Sequence, residues 1–189
     1  MFPDALIAAR MAHACGGVFA ITAILGSAGS AGATVWQLGE EPTYGQGLWG
    51  GDPGIDAGAT LLVAGFDTVY ASQGGAIVGT PSGFTMIFTA SANVLAYMPS
   101  IGPDAALNSN VLNPISTSSG AFGGDVLGLE LNVDFSDAGF LPAASGIRFG
   151  DLVLAGFSAL PQLDGLTVRQ VSRGHEHIAK RRDQYRQHR

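Results

Sequence analysis

Cysteine is nearly absent: Cys15 is the only one, so no intramolecular disulfide can form and stability must come from an ordinary core. Histidine is missing from residues 34–168, since His13 lies before them and His175, His177 and His188 after. That stretch also has no serine in a G-x-S-x-G elbow, so imidazole-base and triad mechanisms lack their parts. Basic residues are scarce in it too. Residues 34–168 hold twelve Asp and Glu against one base, Arg148, a net charge of −11. The last 21 residues carry seven bases against Glu176 and Asp183, a net +5; the first 33 cancel, Asp4 against Arg10, and the whole chain carries −6. An acidic body of this kind repels phosphate backbones, which excludes nucleic acid as its partner.

The N-terminus reads as an export signal. "MAHACGGVFAITAILGSAGSAGA" offers an apolar run from about Ala12 to Leu25 and then small residues ending in Ala31-Gly32-Ala33, an A-x-A cleavage pattern that makes Thr34 the first mature residue. The run falls short of the ~20 apolar residues of a membrane span, so no transmembrane anchor is expected in the mature chain. Cys15 lies too near the start to be a lipidation site and would be removed with the signal. Three regions follow: a signal peptide over 1–33, a domain over 34–168, and a basic tail over 169–189.

Within the domain, short stretches enriched in Val, Phe, Tyr, Thr and Leu alternate with turn-forming Gly, Pro, Asn and Ser. "TVWQL" (34–38), "TLLVAGF" (60–66), "DTVYAS" (67–72), "GFTMIFTA" (83–90), "NVLAYM" (93–98), "DVLGLELNVDF" (125–135) and "GDLVLAGF" (150–157) read as strands, with "LTVRQV" (166–171) a further candidate. In the sixth, Leu127, Leu129, Leu131, Val133 and Phe135 alternate with Gly128, Glu130, Asn132 and Asp134, the period of two of a half-buried strand. Strands without helical crossovers predict an all-β protein, an antiparallel β-sandwich of jelly-roll or immunoglobulin-like type, with a short C-terminal helical or disordered tail. Thr167 and Gln170 have the spacing of a capping box that starts a helix.

Candidate chemistry is sparse. Glu130 and Asp134 share a face, but on a strand they stand ~13 Å apart, too far for a glycosidase pair. Asn132, Asp134 and Ser136 have the one-three-five spacing of a calcium loop, yet Asp137 replaces its glycine and Ala143 its final glutamate. A looser calcium site from Asn132, Asp134 and Asp137, or from Asp52 and Asp56 in "GGDPGIDAG", is the metal candidate; otherwise no cofactor is expected. "GQGLWG" (45–50) matches G-x-G-x-x-G, but no strand precedes it and no helix can follow through "GDPGIDAG", so it is no dinucleotide fingerprint. His175 and His177 point apart on a helix and make no metal pair. Trp49 and Tyr44, in a glycine-rich loop, are the aromatics best placed to stack on a sugar.

The stretch "GTPSGFTMIFTASANVLAYMPS", "SGAFGGDVLGLELNVDFSDAG", "GIRFGDLVLAGF" and "LDGLTVRQ", with a "VWQLG" start behind a signal peptide, resembles secreted or surface-displayed β-rich modules of environmental Gram-negative bacteria. The resemblance covers about residues 34–170 and implies an extracellular or periplasmic, secreted or cell-surface location and a non-catalytic role. It supplies no catalytic residues. After "LTVRQ" such relatives continue as an apolar helix, where this chain turns basic. Three functions are expected: a calcium-stabilised structural or adhesive module; a carbohydrate-binding module that takes polysaccharide or other cell-surface components; or a hydrolase with carboxylates from separate strands.

Overall fold

Residues 120–137, whose alternation predicts a strand, are instead an 18-residue helix. The structure, a computed structural model, describes residues 43–80, 83–143, 146–158 and 160–172. The expected signal peptide, the "TVWQL" strand and the tail beyond Ser172 lie outside the described residues. In chain order the elements are α1 (Gln46–Trp49), α2 (Ala57–Tyr70), β1 (Ala76–Gly79), β2 (Thr85–Phe88), α3 (Ser91–Tyr97), β3 (Val111–Leu112), α4 (Gly120–Asp137) and α5 (Val168–Ser172). Two 3₁₀ turns, Phe149–Asp151 and Pro161–Leu163, precede α5. The protein is mixed α/β with one three-stranded sheet, and the all-β sandwich is therefore wrong.

The reason lies in α4. Two residues along a helix is a turn of about 200°, so alternating apolar positions fall on opposite sides rather than on one face. Leu127, Leu131 and Phe135 enter one core cluster with Trp49, Leu62, Phe66 and Tyr70. Val133, with Leu129 and Phe122 beside it, enters a second cluster with Phe149, Leu152, Leu154, Leu166, Val168 and Val171. A helix packed on both sides carries two apolar stripes instead of one, and they interleave into a false period of two.

A helical stripe was also present in α2, where Ala59, Leu62, Phe66 and Tyr70 are buried. The expected strands at 60–66 and 67–72 fall within or at the end of this helix. Gly65 and the β-branched Thr60, Val63, Thr68 and Val69 disguise it by lowering helix propensity. The glycine is needed, because a Cβ there would lie 2.9 Å from Cε1 of Phe135. Rings pack at tilted angles around it: Trp49 and Phe135 have centroids 5.1 Å apart, and Phe66 and Tyr70, one turn apart on α2, 4.8 Å. Each fully buried large side chain contributes about 1.5–3 kcal/mol.

The sheet covers one flank of this core. β1 pairs antiparallel with β2, and β2 parallel with β3. Ala76, Val78, Met86 and Phe88 point inward. Ile77, Ile87 and Leu112 are register partners on the outer face. β3 is only two residues long, and its pairing is extended by side chains. The Thr85 N–H donates to Asn110 Oδ1 and the Thr89 N–H to Asn113 Oδ1, each at 2.9 Å. Asn113 adopts φ 48°, a left-handed conformation that asparagine tolerates. Of the strands expected from sequence, 83–90 contains β2, whereas 93–98 is mostly α3 and β1 lies in a stretch read as a turn.

Candidate functional site

The polar side chains of α4 are the natural place to look for chemistry, because Asp125, Asn132, Asp134 and Ser136 are all buried. A buried polar group must be hydrogen-bonded or it destabilises the fold. Asp125, near the helix start, accepts from Gln46 Nε2 at 2.9 Å, and Gln46 Oε1 accepts the Ser100 N–H at 2.9 Å. The Ser100 hydroxyl donates to the Gly120 carbonyl at 2.8 Å. One carboxamide on α1 therefore joins α4 to the loop after α3. Gln46 was not singled out from sequence, and nothing local in "TYGQGLW" marks it.

Asn132 uses both ends of its amide. Its Oδ1 accepts the Tyr44 N–H at 2.9 Å, while its Nδ2 donates to the Tyr44 carbonyl at 2.9 Å and to the Gly128 carbonyl at 2.7 Å. It grips residue 44 as a strand neighbour would. The Ser136 hydroxyl accepts the Phe149 N–H at 2.9 Å.

Asp137 ends α4 facing Arg169 of α5. The guanidinium makes a two-pronged contact, Nη2 to Asp137 Oδ1 at 2.7 Å and Nη1 to Asp137 Oδ2, and reaches Asp151 Oδ1 at 3.1 Å. The hydrogen bonds to Asp137 raise the Arg169 pKa further, so this cation is permanent. Two turns earlier, Glu130 accepts from the Ser172 hydroxyl. The capping box expected at Thr167 forms: Thr167 N–H donates to Gln170 Oε1 at 2.8 Å and Gln170 N–H to Thr167 Oγ1 at 3.2 Å. α5 thus crosses the boundary drawn after Val168, and Val171 is buried beside Val168.

Asp134 lies beside Tyr70. Burial foremost, and then the Asp134 carboxylate, raise the Tyr70 pKa, so the phenol stays neutral. Its hydroxyl nonetheless makes no hydrogen bond of acceptable geometry among the described residues, and neither does Trp49 Nε1. The helix also removes the distance argument made from a strand, since Glu130 and Asp134 stand one turn apart, ~6 Å rather than ~13 Å. They sit on one helix, however, not on separate strands.

The remaining candidates are dispersed. Asp52 and Asp56 build their own loop, Asp52 Oδ1 accepting the Gly54 N–H at 2.8 Å and Asp56 Oδ2 the Asp52 N–H at 2.9 Å. They are not brought to Asn132, Asp134 or Asp137, and among the described residues no group of three or more His, Cys, Asp or Glu has metal-holding geometry. Trp49 is 0% exposed and closes the core, with Tyr44 packed edge-on at 5.4 Å. The aromatic platform expected in the glycine-rich loop is thus turned inward. A separate open cleft of about 310 Å³ is lined by Leu107, Asn108, Ser109, Val111 and the 116–118 hydroxyls, without a charged group. No described helix is long and apolar enough to cross a membrane. Compared with protein-family models, with curated proteins and with solved structures, the chain matches none.

Proposed function

We propose that this protein is an exported, non-catalytic structural module of the bacterial cell surface or surroundings. The reading rests on the arrangement along α4. Asp125, Asn132 and Ser136 meet Gln46, residue 44 and residue 149, while Glu130 and Asp137 both hold α5, through Ser172 and Arg169. Side chains that could have served as ligands or acid-base groups act instead as fasteners between the central helix and the chain wrapped around it. The export signal read from residues 1–33 and the resemblance to surface-displayed modules supply the location. Function then belongs to the outer surface. The test is expression of the full chain in a Gram-negative host, followed by fractionation and by glycosidase and esterase screens. Cleavage after Ala33 with recovery outside the inner membrane, and silent screens, are expected. Retention of the uncleaved chain inside the cell, or turnover abolished by Glu130→Gln or Asp134→Asn, would sink the proposal.

A further inference from the structure

The charge of this protein is segregated within the fold. From Thr68 to Gly124 the chain contains one ionisable acid or base among Asp, Glu, Lys, Arg and His, Asp104. That segment supplies the whole sheet, α3 and the loops around β3. The acids instead fall in the segments on either side of it, in α2 and the loop before it, in α4 and in the turns that follow. This charge-poor segment also carries five of the eight large hydrophobic side chains that stand exposed among the described residues: Ile77, Phe84, Ile101, Leu112 and Ile115.

Three of its outward residues are aligned. Ile77 is the register partner of Ile87 and Ile87 of Leu112, so they form one apolar row straight across the outer face of the sheet. Leu112 is 66% exposed and Ile77 42%. Such a row, with neutral Thr85, Thr89, Asn110 and Asn113 beside it, has the composition of an interface core and a polar rim.

We infer that this face pairs with the same face of a second copy of the chain. Three considerations choose that occupant. Copies of a body carrying −11 over residues 34–168 repel one another least through a face built from the segment whose one charge is Asp104. A row of three also suits a two-fold axis: placed through the central Ile87, it sets Ile77 of one copy against Leu112 of the other, both ways round. Finally, the chemistry argues against other occupants. Phe84 is the one aromatic among those exposed side chains, so sugar stacking is poorly served, and residues 68–124 hold no cation for lipid headgroups. Three aligned side chains fall short of the roughly 20–30 residues a side that a stable complex uses. The pairing is therefore reversible and concentration-dependent. It goes beyond the proposed structural role and stands whether or not the chain is exported.

Sedimentation equilibrium of the full chain, from about 1 to about 500 µM, tests it. A monomer–dimer equilibrium that tightens with added salt is expected, because screening weakens repulsion between acidic bodies and leaves the apolar contact intact. Leu112→Asp weakens the dimer about 100-fold or more, since the residue is lost on both sides of the axis. Ile77→Thr, which keeps a β-branched strand residue, weakens it less and in the same direction; both variants retain the parent's circular dichroism. A chain that stays monomeric throughout overturns the inference. So does association that survives both substitutions or dissolves in salt, which would indicate basic-tail to acidic-body contacts instead.

Discussion

Gly124→Ala sets two effects of known size against each other. In the interior of α4, alanine is favoured over glycine by about 1 kcal/mol. Yet the new Cβ would lie 2.0 Å from Gln46 Oε1, 2.9 Å from its Cδ and 3.0 Å from Ser100 Cβ. Gln46 has to leave. Losing its bond to the Asp125 carboxylate costs about 1.5 kcal/mol, and stranding the buried Ser100 N–H costs about 1–3 kcal/mol more. The clash wins, and a net loss of about 2–3 kcal/mol lowers the melting midpoint by roughly 5 to 10 °C. Calorimetry or a urea titration reads it directly. The decisive control is Gln46→Ala, which forfeits both bonds in advance and vacates the space. In that background Gly124→Ala should raise stability by up to about 1 kcal/mol, reversing sign. The reasoning fails if Gly124→Ala stabilises the parent protein, or if it stays destabilising once Gln46 is gone.

Gly128→Ala, one turn on, should instead stabilise by about 0.5–1 kcal/mol, because its Cβ would meet Gln46 N at 3.5 Å, Trp49 Cδ1 at 3.7 Å and Gln46 Cα at 3.8 Å, all ordinary contacts; a fall in urea midpoint would show that α1 sits closer than described. Asn132→Ala should cost about 2–4 kcal/mol, as it strands the Tyr44 N–H and carbonyl together; a loss under 0.5 kcal/mol would show that residue 44 is not held there. Ending the chain after Val168 rather than Ser172 removes Arg169, Val171 and Ser172, and should lower the melt by several degrees; identical melts would make α5 dispensable. Tyr70 gives a pH signature. Its raised pKa means the folded state keeps a proton that the unfolded chain releases above the ordinary value of about 10, so its stabilisation is intact below pH 10 and is lost as pH rises beyond it, by up to ~1.4 kcal/mol per unit. Tyr70→Phe should flatten that alkaline slope in pH-dependent urea melts without loss at pH 7, since the hydroxyl makes no hydrogen bond among the described residues; an unchanged slope would place the ionisation elsewhere.

What could be read from the sequence was mostly local. The capping box at Thr167 and Gln170 follows from side chains three residues apart, and it forms as expected. β2 was legible because Thr85, Met86, Ile87 and Phe88 alternate in a truly one-sided environment. α4 was misread because Leu127, Leu131 and Phe135 pack against one cluster while Leu129 and Val133 pack towards another, and no local rule separates a helix buried twice from a strand buried once. Trp49 was misread for a related reason. Its glycine-rich surroundings look like an exposed loop, but they form a single helical turn that delivers the indole into the core. The polar side chains of "LELNVDFSDAG" read as the wet face of a strand, not as fasteners, because the partners of Asn132, Asp137 and Glu130, at residue 44, Arg169 and Ser172, are brought to them only by the fold.

The claim beneath all of this is that residues 120–137 form the central buried helix of the protein. Backbone chemical shifts with native-state amide exchange over that segment test it most directly. Unbroken helical shifts from 120 to 137, with the amides around Leu127, Leu131 and Phe135 exchanging only through global unfolding, are the predicted result. Extended-chain shifts with protection at every second amide would contradict it, and would return the segment to the wet-faced strand that its alternation first suggested.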